Sequence, residues 1–88
     1  MKINQNFLLK KIAGNDVVVP VGEAGKKLNG MITLKNDSSV YLWKCFEEDV
    51  QPEEVVEKVV KEFNIDRDTA FRYVNGFIDK LSPYGVFS

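Results

Sequence analysis

The chain has no histidine and only one cysteine, Cys45, in 88 residues. Without histidine it lacks both the side chain most often used for proton transfer near neutral pH and the commonest nitrogen ligand for metals. A single thiol makes no internal disulfide, and the paired spacings of zinc sites are missing. An iron–sulfur cluster would also lack its usual set of cysteines. No segment matches the glycine-rich phosphate loop G-x-x-x-x-G-K-[ST]. Nor does any stretch approach the roughly 18 consecutive apolar residues of a membrane span. The opening residues, Met1-Lys2-Ile3-Asn4-Gln5-Asn6, lack the apolar run of a signal peptide. The expectation is a cytoplasmic protein with no membrane partner, no metal and no cofactor. An excess of positive charge is also missing: 12 Lys and Arg stand against 13 Asp and Glu, for a net charge of -1. A nucleic-acid partner normally requires a basic face to displace condensed counterions.

Hydrophobic residues make up 44% of the chain, enough for one packed core. A single domain over residues 1–88 is expected. The first half reads as strands. Phe7 to Ala13 is followed by the turn signal Gly14-Asn15-Asp16 and the β-branched run Val17-Val18-Val19, which Pro20 ends or pushes to an edge. A polar, glycine-bearing loop, Gly22 to Lys27, leads to a third strand, Leu28 to Leu34. There Leu28, Ile32 and Leu34 share one face, and Asn29, Met31 and Thr33 share the other.

The second half reads as three helices. Asn36, Asp37 and Ser38 offer N-caps for the first, which carries Val40, Leu42, Trp43 and Phe46. Pro52, Glu53 and Glu54 suit the first turn of the second, whose Val55, Val56, Val59, Val60 and Phe63 recur at helical spacing. Asp66 caps the third, which runs to about Ser82, before Pro83. Ala70, Phe71, Val74, Phe77, Ile78 and Leu81 form a stripe about 120° wide, with Phe71 and Phe77 at its two edges. The fold class is α+β: a three-stranded antiparallel sheet followed by three helices, in a winged helix-turn-helix-like order.

The acidic clusters Glu47-Glu48-Asp49, Glu53-Glu54 and Asp66 with Asp68 sit at helix ends or on charged faces, where caps and solvated surface explain them. Cys45 lies mid-helix with no histidine to activate it. Trp43 reads as core. A winged-helix DNA-binding regulator is an alternative reading of the element order, but Arg67, Arg72, Asn75 and Lys80 on the third helix are opposed by Asp66, Asp68 and Asp79. A further alternative is a structural or oligomerisation subunit. The open edge of the third strand, free of proline, offers backbone groups to an extended peptide. On pattern alone, peptide binding and a merely solvated edge stand level.

The stretch Leu28-Asn29-Gly30-Met31-Ile32-Thr33-Leu34, followed by Asn36-Asp37-Ser38-Ser39-Val40-Tyr41-Leu42-Trp43, resembles the PqqD family. The shared pattern is an apolar strand, Leu-Asn, a small polar pair and an apolar helix with Trp seven residues after the Asn, a spacing that Asn36 and Trp43 keep. Pro52-Glu53-Glu54, Asn64-Ile65-Asp66, Leu81 and Gly85-Val86 extend the resemblance over nearly the whole chain. Two departures stand out: Lys35 separates Leu34 from Asn36, and Gly85-Val86 replaces a frequent Gly-Leu. The resemblance implies a recognition element for ribosomally made, post-translationally modified peptides. Such a module takes the leader of a precursor as an added strand between the third strand and third helix and delivers it to a maturation enzyme, often a radical S-adenosylmethionine enzyme. It implies no catalysis by the domain itself. The expected peptide-binding residues are Gly30, Met31, Ile32, Thr33 and Leu34 on the strand, with Phe71, Val74 and Ile78 as apolar wall. Arg67, Arg72 and Asn75 flank the cleft toward acidic leader residues. A monomer or a weak, domain-swapped homodimer is expected.

Overall fold

A computed structural model describes residues 1–22 and 31–88. Gly30 and the first part of the expected third strand, from Leu28, lie outside the described residues.

Strand β1 (Phe7–Ile12) pairs antiparallel with β2 (Asn15–Pro20), Phe7 opposite Pro20 and Ile12 opposite Asn15. The reversal is made by Ala13 and Gly14, with φ of 50° and 81°. The turn therefore sits one residue earlier than the Gly14-Asn15-Asp16 signal indicates. Positive φ at both central positions is the type I′ form of a two-residue hairpin loop, which matches the strand twist. Gly14 adopts it freely, and Ala13 bears a steric cost of about 1–2 kcal/mol. Pro20 is the last paired residue of β2, so it interrupts no ladder.

Strand β3 (Ile32–Leu34) pairs antiparallel with β2, Val18 opposite Ile32 and Asp16 opposite Leu34. The strand order is β1-β2-β3, so β3 is an edge and, among the described residues, its outer side has no strand partner. The period of two sends Phe7, Leu9, Val18, Ile32 and Leu34 inward to the core.

Helix α1 (Asp37–Cys45) begins where Asn36 Oδ1 accepts the Ser39 backbone N–H at 2.9 Å and the Ser38 hydroxyl at 2.8 Å. The extra Lys35 is exposed between the buried Leu34 and this cap. Helix α2 (Pro52–Phe63) starts with proline at its first position and ends at Asn64, whose left-handed φ of 52° stops it. Helix α3 (Arg67–Leu81) is capped by Asp66, whose Oδ1 accepts the Thr69 N–H at 2.7 Å. A 3-10 turn over Ser82–Tyr84 follows.

Sheet and helices close on one core, with Leu42, Trp43, Phe46, Val55, Val59, Ala70, Val74 and Leu81 at its centre. The tail folds back, as its apolar residues imply. Val86 is fully buried, and Phe87 meets both Phe46 and Phe77 edge-on at 5.4 and 6.1 Å. Pairing of the tail with the first residues was not expected from the sequence: Ile3 bridges Phe87, Asn4 N–H donates to Val86 O at 2.6 Å, and Ile3 N–H donates to Phe46 O at 2.7 Å. Among the described residues no helix is long and apolar enough to cross a membrane.

Thr69, through its side chain and its backbone N–H, holds the Asp66 carboxyl below the usual carboxylate range. A depressed folded-state pKa adds stability that is present above the unfolded value of about 3.9 and is lost as pH falls through the folded one. Thermal midpoints should therefore hold steady above about pH 5 and drop on further acidification. Asp66→Asn, which keeps a capping oxygen without the charge, should make that drop shallower. It should not abolish the drop, because Asp49 is also held low, by the N-terminal ammonium. An acid limb identical to the parent's, in scanning calorimetry across the pH series, would count against the assignment.

Candidate functional site

A groove of about 490 Å³ opens beside the end of β3. Leu34 brings the strand to it, and Asn36, Ser38, Ser39 and Leu42 form the wall from the start of α1. The opposite wall is one flank of α3: Arg72, Tyr73, Gly76, Phe77, Lys80 and Leu81. Leu34, Leu42, Phe77 and Leu81 are buried and supply an apolar floor, while Arg72, Tyr73, Gly76 and Lys80 are exposed along the rim. Among the described residues, two cations and no carboxylate line the groove, in a chain whose net charge is -1. The outer edge of β3, without a strand partner among the described residues, ends at this groove, so backbone hydrogen-bonding groups, an apolar floor and positive charge lie side by side.

Of the residues expected at the site, the structure brings Leu34 and Arg72 together here. Ile32 and Thr33 lie on the same edge strand, and Met31, 58% exposed, just precedes it. The remaining helix residues sit elsewhere. At about 100° per residue, the groove-lining residues of α3 and the set Arg67, Phe71, Val74, Asn75 and Ile78 are centred about 150° apart around the axis. The core stripe Ala70, Val74, Phe77 and Leu81 runs between the two flanks.

Arg67, Phe71, Val74 and Asn75 line a second groove of about 400 Å³, whose other wall is Pro52, Glu53 and Val56 of α2. Phe71 is 56% exposed there, Val74 is fully buried, and Arg67 pairs with Glu57 of α2. Ile78 is half-buried against the core and lines neither groove. Apolar periodicity measures the width of the buried arc but does not say which neighbour covers each side. Hence the expected cleft between the third strand and third helix includes Phe71 and Val74, which the structure sets beside α2.

Tyr73, Gly76, Phe77 and Lys80 were not among the expected site residues. Apart from Phe77 they are polar or lack a side chain, so they leave no hydrophobic signal. The sequence did hold one clue: a glycine in mid-helix with cations four residues before and after it, Arg72 and Lys80.

Trp43 is fully buried and belongs to the core. Its indole nitrogen has no hydrogen-bond partner among the described residues. Burial pushes the Cys45 thiol up, against the opposing effects of the Tyr41 hydrogen bond and Lys58. A thiol kept protonated is a poor nucleophile.

The family model for coenzyme PQQ synthesis protein D (PqqD) matches residues 17–86. A solved structure described as TbiB1 in complex with the TbiA(beta) leader peptide superposes with a TM-score of 0.76 at 24% sequence identity, covering 98% of this chain and 93% of that one. A comparison with curated proteins found no match.

Proposed function

The chain belongs to the PqqD family, and from that premise we propose that it is a non-catalytic recognition element that binds the leader region of a ribosomally made precursor peptide. The leader adds as a strand to the outer edge of β3, and its side chains enter the groove between β3, the start of α1 and the Arg72–Lys80 flank of α3. The domain then presents the peptide to a separate modifying enzyme, for which a radical S-adenosylmethionine maturase is the class the resemblance implies. The carrying observation is the β3 edge, without a strand partner among the described residues, running into a groove with an apolar floor. The fold shared with TbiB1, whose structure holds a leader peptide, supports the reading. So does the sequence, which has no histidine and a single cysteine, with that thiol held protonated by burial.

Energetics favour moderate affinity. Each backbone hydrogen bond to the edge contributes about 0.5–1.5 kcal/mol net, and each apolar side chain buried on the floor about 1.5–3 kcal/mol. Ordering an extended peptide and losing its free motion offset much of that gain. An affinity between micromolar and nanomolar follows from these opposing contributions. Calorimetric titration of the cognate leader peptide tests the proposal. Saturable binding that weakens with added salt is the expected result, because rim cations are screened. Absence of heat, together with unmoved amide resonances on β3, would refute it.

A further inference from the structure

Gly76 lies near the middle of α3, on its exposed flank and inside the groove. A mid-helix glycine is a poor choice for stability, since it lowers helix propensity and adds freedom to the unfolded chain. Packing does not require it: a Cβ built at Gly76 meets no atom of the described residues within 4 Å. Nor does it need positive φ, which among the described glycines is found at Gly14, Gly22 and Gly85. The free domain would tolerate any good helix former at this position. What an added side chain would fill is the groove itself.

Arg72, Gly76 and Lys80 follow one another at intervals of four along the same stripe of α3. The two cations are thus set about 12 Å apart along the axis with a gap midway. An extended peptide rises about 3.3 Å per residue, and its residues i, i+2 and i+4 face the same way. Residues i and i+4 are then about 13 Å apart, which matches the spacing of the cations. Among the described residues the groove is lined by those two cations and no carboxylate, and its floor is Leu34, Leu42, Phe77 and Leu81.

Resting on the leader-binding reading above, we propose that Gly76 is a specificity-determining clearance and that the groove selects an extended segment of the pattern acid–x–large apolar–x–acid. The central apolar side chain crosses α3 over Gly76 and seats on the floor. The acids on either side meet Arg72 and Lys80. Tyr73 closes the rim beside them.

The test uses the full chain, the cognate leader peptide and synthetic peptides of three kinds: acid–x–Leu–x–acid, the same with lysine for both acids, and the same with alanine for the central leucine. The first kind should bind and shift the Ile32–Leu34 amides. Each altered kind should bind about tenfold more weakly or worse, the loss typical of one good contact. Gly76→Leu should weaken both the cognate leader and the first peptide by ~30-fold or more, and Gly76→Ala by only a few-fold, as expected for progressive filling of a desolvated pocket. The thermal midpoints of both variants should equal or exceed the parent's, which separates blockage from unfolding.

Two results would overturn this inference while leaving leader binding intact: Gly76→Leu binding the cognate leader within about threefold of the parent, or a leader that shifts β3 amides while the acid–x–Leu–x–acid peptide does not bind. A cognate leader that moves no β3 amide would instead remove the underlying reading.

Discussion

Trp43→Ala is expected to cost the domain about 3–5 kcal/mol, the usual range for emptying a large aromatic site in a core. The indole is fully buried among Leu42, Phe46 and the valines of α2. Domains of this size hold only about 0.05–0.15 kcal/mol per residue in total, so the loss takes most of the margin. The thermal midpoint should fall by roughly 15 °C or more, at about 4–8 °C per kcal/mol. Trp43→Phe should be far milder. It leaves a smaller void and removes an indole N–H that has no partner among the described residues, a burial that costs about 1–3 kcal/mol. Melting curves of the two variants discriminate. A Trp43→Ala midpoint close to the parent's would mean the ring is not the centre of the core.

The second large effect is expected at Val74. A carboxylate there, in Val74→Asp, would be buried with no partner among its apolar neighbours, and the cost of several kcal/mol should unfold the domain. Loss of peptide binding in this variant would follow from unfolding and not from a lost contact. Phe71, one turn earlier and 56% exposed, supplies the contrast. Phe71→Ala should leave the stability within about 0.5 kcal/mol of the parent's, as surface substitutions do. It should also leave leader affinity unchanged, because Phe71 lines the α2 groove and not the β3 groove. Circular dichroism paired with the peptide titration reads both properties. A stable Phe71→Ala protein that no longer binds would move the site to the α2 flank.

These two residues also mark where sequence reasoning stops. The elements themselves were legible, because each boundary carries local chemistry: Pro52 and Glu54 open α2, Asn64 closes it, Asp66 caps α3, and the alternation of Ile32, Thr33 and Leu34 fixes the faces of β3. The family motif has a physical meaning in the structure. Asn36 starts α1 through its side-chain cap, and two turns later Trp43 anchors that helix in the core. The insertion of Lys35 is absorbed by an exposed residue between strand and cap.

The candidate groove was legible only in part. The edge strand follows from hydrophobic patterning and the absence of proline. The flank of α3 that faces it depends on how far the helix is rotated against β3 and α1, and that rotation is set by tertiary packing rather than by the periodicity of one helix. Asn36, Ser38 and Ser39 entered the sequence reading only as capping residues, although they also form a wall of the groove. The hairpin turn was displaced by one residue for a comparable reason: strand twist selected a two-residue loop and forced Ala13 into the left-handed region.

The central claim is that a leader peptide occupies the β3 edge and the groove lined by Arg72, Gly76 and Lys80. Amide shift mapping on isotope-labelled protein, during titration with the cognate leader, tests it most directly. The account predicts that Ile32, Thr33 and Leu34 move together with Arg72, Tyr73, Gly76 and Lys80, while Arg67, Phe71 and Asn75 stay in place. Shifts confined to Arg67, Phe71 and Asn75 and the start of α2, with β3 unmoved, would contradict it.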